Sequence, residues 1–452
     1  MTFEMESVRA SIGIRRRRRS AAQAGIPAVV VALAVYVFLT IGRVSDEFPS
    51  LRLALITAGI TGILALLGSN RDGGSPLRLT ETRAVLALFG LSILTIPFSF
   101  WPEQSLAFVT RAYGTSVFLF FVIVYRVKSA RAVQIFFYGI LAALLFLEVS
   151  LMLWGSGDRP YVTRTYDSND IAFILVCGFP LGAVWFLRGR GPARYVAGLT
   201  SALAVIAILL TRSRGGLVAL CVVMVLLVVL ASPRQRLGVA VLVLACLLIL
   251  SVFGSKGYWE RMATIWNTGG DPATYDDSGV WGARWPVWSA ALGVMLQHPL
   301  IGVGSGVFEV AEGLSHRGAG KWSAAHNAFL QIGAELGVPG LVLFVFLLYR
   351  AVKNCRRVIR LERQRPGLVT VAWLARGVEL SLYGFIVAAF NLSQAYSSML
   401  YVLIAISVVL ARLASARKES LGPRRDAPAG EDVAGSSGEG AYGDRMRRTG
   451  VT

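Results

Sequence analysis

Charged residues are scarce in this sequence, and acidic residues are the scarcer kind. Only 16% of the 452 residues are charged, whereas a soluble protein is about a quarter charged. With 55% hydrophobic residues, much of the chain must lie in lipid, which excludes a cytosolic enzyme, a secreted domain and a disordered scaffold. Acids number 26 against 45 Lys and Arg, a net charge of +19. In a membrane protein this excess indicates basic cytoplasmic loops rather than a nucleic-acid surface.

Three further absences narrow the chemistry. The four cysteines lie in apolar runs or in a basic loop, so no disulfide framework is visible. No Walker or Rossmann glycine motif is present, so the sequence predicts no nucleotide cofactor. The acids show no strong metal-ligand spacing, and the pair Asp276-Asp277 is too weak a signal for a cation. We therefore predict no cofactor and no metal.

Apolar stretches that approach the length of a bilayer-spanning helix recur about twelve times. They cover residues 26–41, 51–67, 84–98, 107–124, 133–153, 171–187, 196–210, 217–230, 237–253, 327–349, 368–390 and 398–413. The sequence thus predicts an all-α polytopic membrane protein with about 12 transmembrane helices.

The loops predict the orientation of these helices. The arginine run at 15–19 precedes the first stretch, and alternate loops are basic, so both termini are expected in the cytoplasm. The short outer turn 211–216 is an exception, with two arginines and no acid. The predicted organisation is a basic N-terminus at 1–25, helices one to nine at 26–253, a long outer loop at 254–325, helices ten to twelve at 326–414 and a disordered tail at 415–452. Short helices are expected in the long loop, including an amphipathic one at 284–297.

The three histidines all fall in the long outer loop or at its end. His298 and His316 favour structural roles, and His298 precedes Pro299 where a helix would end. His326 stands at the start of the tenth apolar stretch, beside the membrane surface. Because an imidazole there can exchange protons near pH 7, His326 is the candidate acid–base group.

Arginines near the membrane edge are candidates for binding an anion, since an arginine inside the bilayer is costly. The alternative is snorkelling toward lipid headgroups. For Arg212 and Arg214, the following Gly215 and Gly216 allow close backbone approach, and guanidinium forks match phosphate oxygens. This stretch predicts a pyrophosphate ligand at the outer membrane surface. Three further basic residues are candidates: Arg284, Arg317 and Lys321.

The carboxylates of the predicted helices favour structural roles. Glu379 follows Arg376 by three residues, which predicts an ion pair within one helix. Glu335 lies nine residues beyond His326, about half a turn away around a helix, so it favours helix packing over partnership with the histidine. Asp167 and its polar neighbours are interpreted as a helix cap.

Three blocks of sequence resemble the O-antigen ligase and O-antigen polymerase superfamily of bacterial membrane glycosyltransferases. The first is Thr-Arg-Ser-Arg-Gly-Gly-Leu at 211–217. The second joins Gly-Ala-Arg-Trp at 282–285 to His-Pro-Leu-Ile-Gly-Val-Gly-Ser-Gly at 298–306. The third joins His-Asn-Ala-Phe-Leu-Gln at 326–331 to Glu-Leu-Gly-Val-Pro-Gly at 335–340. Their order and their spacing around the long outer loop fit this superfamily.

The resemblance implies a C-type glycosyltransferase-like fold and a metal-independent reaction at the periplasmic face of the bacterial inner membrane. The donor it implies is a glycan on undecaprenyl pyrophosphate. The acceptor is the lipid A core for a ligase, another lipid-linked repeat for a polymerase, or a protein hydroxyl. By motif match, His326 takes the catalytic position, and Arg212 or Arg214 and Arg284 take the pyrophosphate-binding positions. Three more residues are candidates for donor or acceptor contacts: Arg317, Lys321 and Asn327.

A transporter of polysaccharide or lipid-linked sugar is the alternative from another class, since twelve helices and the intramembrane Glu148 fit it too. No paired half-repeat with broken helices is visible, although many transporters have one. The large loop, with His326 and the arginines on one side, favours a surface-facing enzyme. The sequence therefore favours a glycosyltransferase, a ligase slightly over a polymerase, with membrane lipids as partners and no nucleic acid.

Overall fold

The computed structural model describes residues 27–67, 76–155, 166–231, 233–253, 259–260, 263, 280–315, 322–364 and 369–420. Throughout these residues the regular structure is helical, and no strand occurs among them. The N-terminal arginine run, the chain 264–279, residues 316–321 and the end of the predicted tail lie outside them. The prediction of an all-α polytopic membrane protein is confirmed.

The helices of the first half are α1 Ala28–Ile41, α2 Val44–Glu47, α3 Leu53–Leu67, α4 Thr80–Leu94, α5 Pro102–Ala107, α6 Gly114–Arg126, α7 Ala130–Trp154, α8 Ser168–Arg188 and α9 Ala193–Leu210. Those of the second half are α10 Arg214–Leu230, α11 Pro233–Phe253, α12 Val280–Gln297, α13 Phe308–Ser315, α14 Ala328–Gln364, α15 Val369–Ala389 and α16 Ser398–Ser420. A π-helical stretch, Phe108–Tyr113, connects α5 to α6, and short 3₁₀ turns occupy Pro49–Leu51, Pro76–Arg78 and Ile96–Phe98.

Nine helical stretches of the described chain are long and apolar enough to cross a membrane. They are Pro49–Leu67, Thr80–Phe98, Pro102–Arg126, Ala130–Trp154, Ser168–Arg188, Ala193–Leu210, Ala328–Gln364, Val369–Ala389 and Ser398–Arg417. Shorter apolar helices occur at α1, at α10 and within α11. Each of the twelve predicted stretches therefore coincides with a helix, and nine of those helices reach spanning length.

The core of the bundle surrounds α8, which packs against α7, α9, α10 and α15. Among the stretches of spanning length, α8, α15 and α16 have the most buried surfaces, whereas α3 is mostly exposed. Exposed leucines and isoleucines on α3, such as Leu55 and Ile63, are expected where a helix faces lipid rather than water. The helices α8, α15 and α16 therefore form the centre of the bundle.

Helix α14 is broken at Gly337, and the segment 298–306 of the second sequence block packs against this break. Gly337 has φ 69° and ψ −170°, a conformation that a residue with a Cβ rarely adopts, and Pro339 has no N–H to donate back into the helix. Three backbone hydrogen bonds tie the broken helix to the segment 298–306: Val303 N–H to Ala334 C=O at 3.0 Å, Gly304 N–H to Glu335 C=O at 3.0 Å and Val338 N–H to Pro299 C=O at 2.8 Å. The glycine-rich segment therefore satisfies the backbone groups that the break exposes.

Two sequence predictions about helix extent were wrong. The basic residues predicted as a loop at 350–365 continue α14 as far as Gln364. Most of them are good helix formers, and Arg350 and Arg356 form ion pairs along this part of the helix. The helix predicted at 284–297 begins earlier, at Val280, and it is not amphipathic, because Trp285 and Leu296 are exposed while other apolar residues of the same helix are buried.

Candidate functional site

The turn between α9 and α10 carries the first pair of predicted arginines. Arg214 is the first residue of α10, and Ser213 caps that helix by accepting a hydrogen bond from Gly216 N–H at 3.2 Å. The Ser213 hydroxyl also donates to Asn169 Oδ1 at 2.9 Å, which fixes the turn against the start of α8. A helix N-terminus favours an anion, because its first N–H groups and its dipole are positive. Arg212, with φ 50°, lies in the same turn.

Asn391, in the segment between α15 and α16, connects this turn to a second sequence block. Arg284, near the start of α12, donates a hydrogen bond from Nη1 to Asn391 Oδ1. From the other side, α10 approaches so closely that a Cβ at Gly215 would lie 2.8 Å from the Asn391 Cβ. Glycine at 215 therefore permits the contact, and both arginine-bearing blocks meet at one asparagine.

His326 lies two residues before α14, in the left-handed region with φ 45°, and is partly exposed. The next residue, Asn327, caps α14, since its Oδ1 accepts hydrogen bonds from Phe329 N–H at 3.0 Å and Leu330 N–H at 3.2 Å. Asn327 is buried. Its described hydrogen bonds are those of the helix cap, and its predicted contact with donor or acceptor stays a prediction.

Apolar packing brings the histidine segment against the arginine-bearing segments. The ring of Phe329 lies 4.9 Å from that of Phe390, which immediately precedes the shared asparagine. Ala325, directly before the histidine, is buried in a small cluster with Val287 and Ala291 of α12. The three sequence blocks therefore converge on one end of the bundle, around the segment 390–394. We refer to this convergence as the candidate site.

Backbone strain coincides with this site. Among the described residues, four that are not glycine have positive φ: Arg43, Arg52, Arg212 and His326. Such a conformation costs roughly 1 kcal/mol or more per residue and persists only where the surroundings impose it. Two of the four are predicted site residues, which gives the motif match independent physical support.

The structure adds site residues for which the sequence carried no specific signal. Asp167 caps α8 as predicted, and its partner in the cap, Asp170, also accepts a hydrogen bond from Gln394 Nε2 at 2.6 Å. Asn169 belongs to the cap as predicted, since its N–H donates to Asp167 Oδ1 at 2.7 Å, and its Oδ1 also binds the turn that carries the arginines. Asn391 and Gln394 lie in a short polar segment that looked like an ordinary loop.

Other candidates stand apart from the site. His298 follows the last residue of α12, and its ring packs edge-on against Phe100 at 5.4 Å, which agrees with the predicted structural role. Arg317, Lys321 and His316 lie outside the described residues. Within the described ranges no group of three or more His, Cys, Asp or Glu side chains is arranged to hold a metal ion.

At the opposite end of the bundle the predicted helix pair is confirmed. Arg376 Nη1 lies 2.5 Å from Glu379 Oε2, and Arg356 Nε lies 3.1 Å from Glu379 Oε1. A second pair joins Arg350 of α14 to the buried Glu81 of α4 at 2.8 Å. These contacts brace helices against one another.

Residues 199–345 match the family described as O-Antigen ligase. The matched region includes the arginine turn, α12, the segment 298–306, the histidine and the break in α14. No curated protein matches the chain. The predicted resemblance to the O-antigen ligase superfamily is thereby confirmed.

The fold and the family match together define a polytopic membrane protein with an O-antigen ligase domain. Such a domain is typical of glycosyltransferase-like enzymes, and the family implies lipid-linked glycan substrates and membrane lipids as partners. The arginine turn, Arg284 and His326 lie within that domain. Four polar residues of the site come from outside it: Asn169, Asp170, Asn391 and Gln394.

Proposed function

We propose that this protein is a membrane glycosyltransferase of O-antigen ligase type, which moves a glycan from undecaprenyl pyrophosphate to an acceptor hydroxyl at the periplasmic face of the bacterial inner membrane. One observation carries the proposal: the turn that bears Arg212 and Arg214, the Arg284 side chain and the helix start that follows His326 each contact the segment 390–394. A pyrophosphate leaving group and a hydroxyl nucleophile need these two kinds of side chain close together.

The donor is held through its pyrophosphate. Arg284 presents a planar fork that matches two phosphate oxygens, and the amide of Asn391 orients that fork. The N-terminus of α10, with Arg212 and Arg214, supplies further positive potential beside it. Because negative charge grows on the pyrophosphate as it leaves, these groups stabilise the transition state more than the bound donor. Arginines thus supply the charge that a metal would otherwise provide.

The acceptor is activated by His326. A sugar or lipid hydroxyl is a poor nucleophile, and a neutral imidazole within hydrogen-bond reach removes its proton as attack proceeds. The Asn327 cap and the left-handed backbone hold the histidine at the end of α14 rather than within the helix.

The reaction is a single displacement at the anomeric carbon. The bond from that carbon to the acceptor oxygen forms as its bond to the pyrophosphate oxygen breaks. The electron pair leaves with undecaprenyl pyrophosphate, and the acceptor proton passes to His326. The anomeric configuration is therefore inverted, and the pyrophosphate link supplies the driving force without a nucleotide.

A transfer assay and a deletion strain test this function. Purified protein in detergent should move glycan from a lipid pyrophosphate donor to an added acceptor, with undecaprenyl pyrophosphate as coproduct. The deletion strain should show uncapped lipid A core and accumulated lipid-linked polymer. Glycans of single-repeat length would indicate a polymerase instead, and normal glycans in both fractions would contradict the proposal.

A further inference from the structure

A polar cavity lies beside the candidate site, toward α1 and the π-helical stretch Phe108–Tyr113. Its volume is about 250 Å³. Its charged and amide-bearing lining residues are Arg43, Arg111, Asp170, Gln331 and Gln394. Serine and threonine hydroxyls cover much of the remaining wall. Apart from Gln331, these five residues lie outside the part of the chain that matches the O-Antigen ligase family.

Polar atoms in this wall have unused hydrogen-bonding capacity. Arg43 Nε, Gln331 Oε1 and Ser393 Oγ are buried, and none has a hydrogen-bond partner among the described residues. They comprise one donor, one acceptor and one hydroxyl that can serve as either. Buried polar groups are normally satisfied, because leaving one without a partner is costly. Three such atoms around one cavity indicate a ligand rich in both donors and acceptors.

The cavity also holds an aromatic surface and a positive charge. The Arg43 guanidinium lies 4.6 Å from the centre of the Tyr166 ring. The backbone of Arg43 is in the left-handed region, with φ 53°. At about 250 Å³ the cavity is slightly smaller than the roughly 300–1,000 Å³ of most small-molecule pockets. This size suits a single sugar ring.

The cavity adjoins the groups assigned to catalysis. Gln331 lies in the first turn of α14, shortly after His326. On the far wall, Asp170 accepts the hydrogen bond from Gln394, and its neighbour Asn169 binds the turn that carries Arg212. A ligand here therefore lies between the histidine segment and the arginine turn, where a saccharide unit next to the reacting bond would be held.

We propose that this cavity is a saccharide subsite, which binds one sugar unit through Arg43, Gln331 and Ser393. The assignment of that sugar to the glycan donor or to the acceptor rests on the proposed function, whereas the binding of a sugar does not. The two questions therefore need separate experiments.

Saturation-transfer difference NMR of the full chain in detergent tests the binding. The probes are glucose, galactose, N-acetylglucosamine and glucuronate, each added alone at millimolar concentration. At least one should receive saturation from the protein. The transfer should fall at least fivefold in Ser393→Ala and in Gln331→Leu, since each removes a polar atom that has no hydrogen-bond partner among the described residues. Ser393→Ala removes only such an atom and should not prevent folding. Gln331→Leu also removes the amide that hydrogen-bonds the buried Glu335, so its thermal unfolding in detergent is compared with that of the wild type.

Arg52→Gln is the matched control, because Arg52 also has positive φ in the same outer segment but does not line the cavity. It should leave the transfer of saturation unchanged. The subsite proposal would be overturned if none of the four sugars received saturation from the protein. It would also be overturned if both cavity variants transferred saturation as strongly as the wild type.

The transfer assay then identifies which sugar binds. A roughly tenfold rise in KM for the donor alone in Ser393→Ala assigns the subsite to the glycan donor, and a rise for the acceptor alone assigns it to the acceptor. Unchanged KM values for both would contradict a subsite in the reaction. If the wild type transfers no glycan at all, the proposed function fails while the NMR result still decides the binding of sugar.

Discussion

The two ends of the helical bundle use arginine in different ways. At one end, Arg350, Arg356 and Arg376 bind the carboxylates of Glu81 and Glu379, at distances of 2.5 to 3.1 Å. At the other end, the hydrogen bond described for Arg284 goes to a neutral amide oxygen. A carboxylate cancels the charge of its arginine, whereas an amide orients the fork and adds no negative charge. The first arrangement braces helices, and the second orients a guanidinium group at the candidate site.

The backbone differs between the two ends as well. The braced end consists of regular helix, with α14 continuous from Val338 to Gln364. The other end contains two strained residues of the site, Arg212 and His326, and the break at Gly337. Strain at a functional site is stabilised by the rigid structure around it. The comparison suggests that the braced end contributes mainly stability and the strained end mainly chemistry, and each prediction below tests one side of it.

The largest effect is expected from topology, which is all or none. Reporter fusions after Arg131, Arg194 and Arg360 should report cytoplasm, and a fusion within residues 271–279 should report periplasm. The excess of basic residues in alternate loops motivates this assignment. Activity of a cytoplasmic reporter fused within 271–279 would reverse the two ends and contradict the proposed site.

The next largest effect is expected at His326. Replacement by Ala or Gln should lower glycan transfer by about 10²–10⁴-fold, since acid–base catalysis typically contributes that much. Glutamine can hydrogen-bond the acceptor but cannot take its proton, so it should not rescue the reaction. Because a protonated imidazole cannot act as a base, wild-type activity should also fall on acidification. The measurement is transfer from the lipid pyrophosphate donor in detergent.

His298→Gln is the matched control for that experiment, because His298 packs against Phe100 and lies outside the candidate site. It should transfer glycan at close to the wild-type rate. If both His326 variants do so too, the histidine is structural and the general-base mechanism is wrong.

A smaller loss is expected from the arginine fork. Arg284→Ala should lower transfer by about 10²-fold, the usual cost of removing one donor that stabilises developing charge. Arg284→Lys should recover only part of this, since lysine retains the charge but loses the planar fork. The same pattern is expected when Arg212 and Arg214 are replaced together.

Arg356→Lys at the braced end serves as its control, because that guanidinium binds Glu379 far from the candidate site. Its transfer rate should be unchanged. Normal turnover with lysine at 212, 214 and 284 would exclude bidentate phosphate binding and leave snorkelling as the role of these arginines.

At the braced end the expected effect is on stability. Glu81→Gln removes the charged partner of Arg350 from a buried position and should lower the free energy of unfolding by about 1–3 kcal/mol. Thermal unfolding in detergent measures it. Glu362→Gln, at the same end but in no ion pair among the described residues, should leave stability unchanged. If Glu81→Gln lowered glycan transfer without lowering the free energy of unfolding, the braced end would contribute to the chemistry and the distinction between the two ends would be wrong.

No effect is expected from chelation. If arginines supply the positive charge at the pyrophosphate, transfer should continue at its full rate in EDTA. Loss of activity that is restored by a divalent ion would show that a metal acts in the reaction. Asp276, Asp277 and Glu309 would then be the ligands to test by substitution.

The sequence predicted the positions of the helices well, because each apolar stretch must satisfy its own backbone within lipid. It also identified the ion pair of Arg376 with Glu379 and the cap at Asp167, since both depend on residues close together in the chain. It placed the end of the tenth helix wrongly. There, the ion pair that holds the extended α14 has its carboxylate at Glu81, 269 residues away from Arg350.

The residues of the candidate site also fall into those that local sequence predicts and those that only contacts between distant residues reveal. The candidates His326, Arg284 and the arginine turn could be predicted from local motifs, because imidazole and guanidinium groups suit the chemistry of hydroxyl and phosphate groups. Asn391 and Gln394 could not, since an amide in a short polar segment resembles any other loop residue until the fold brings it to its partners. Arg284 and Asn391 are 107 residues apart. The sequence by itself therefore determined the helices and the candidate side chains. Only the tertiary structure decided which segments come together, because contacts between distant residues depend on how all the helices pack.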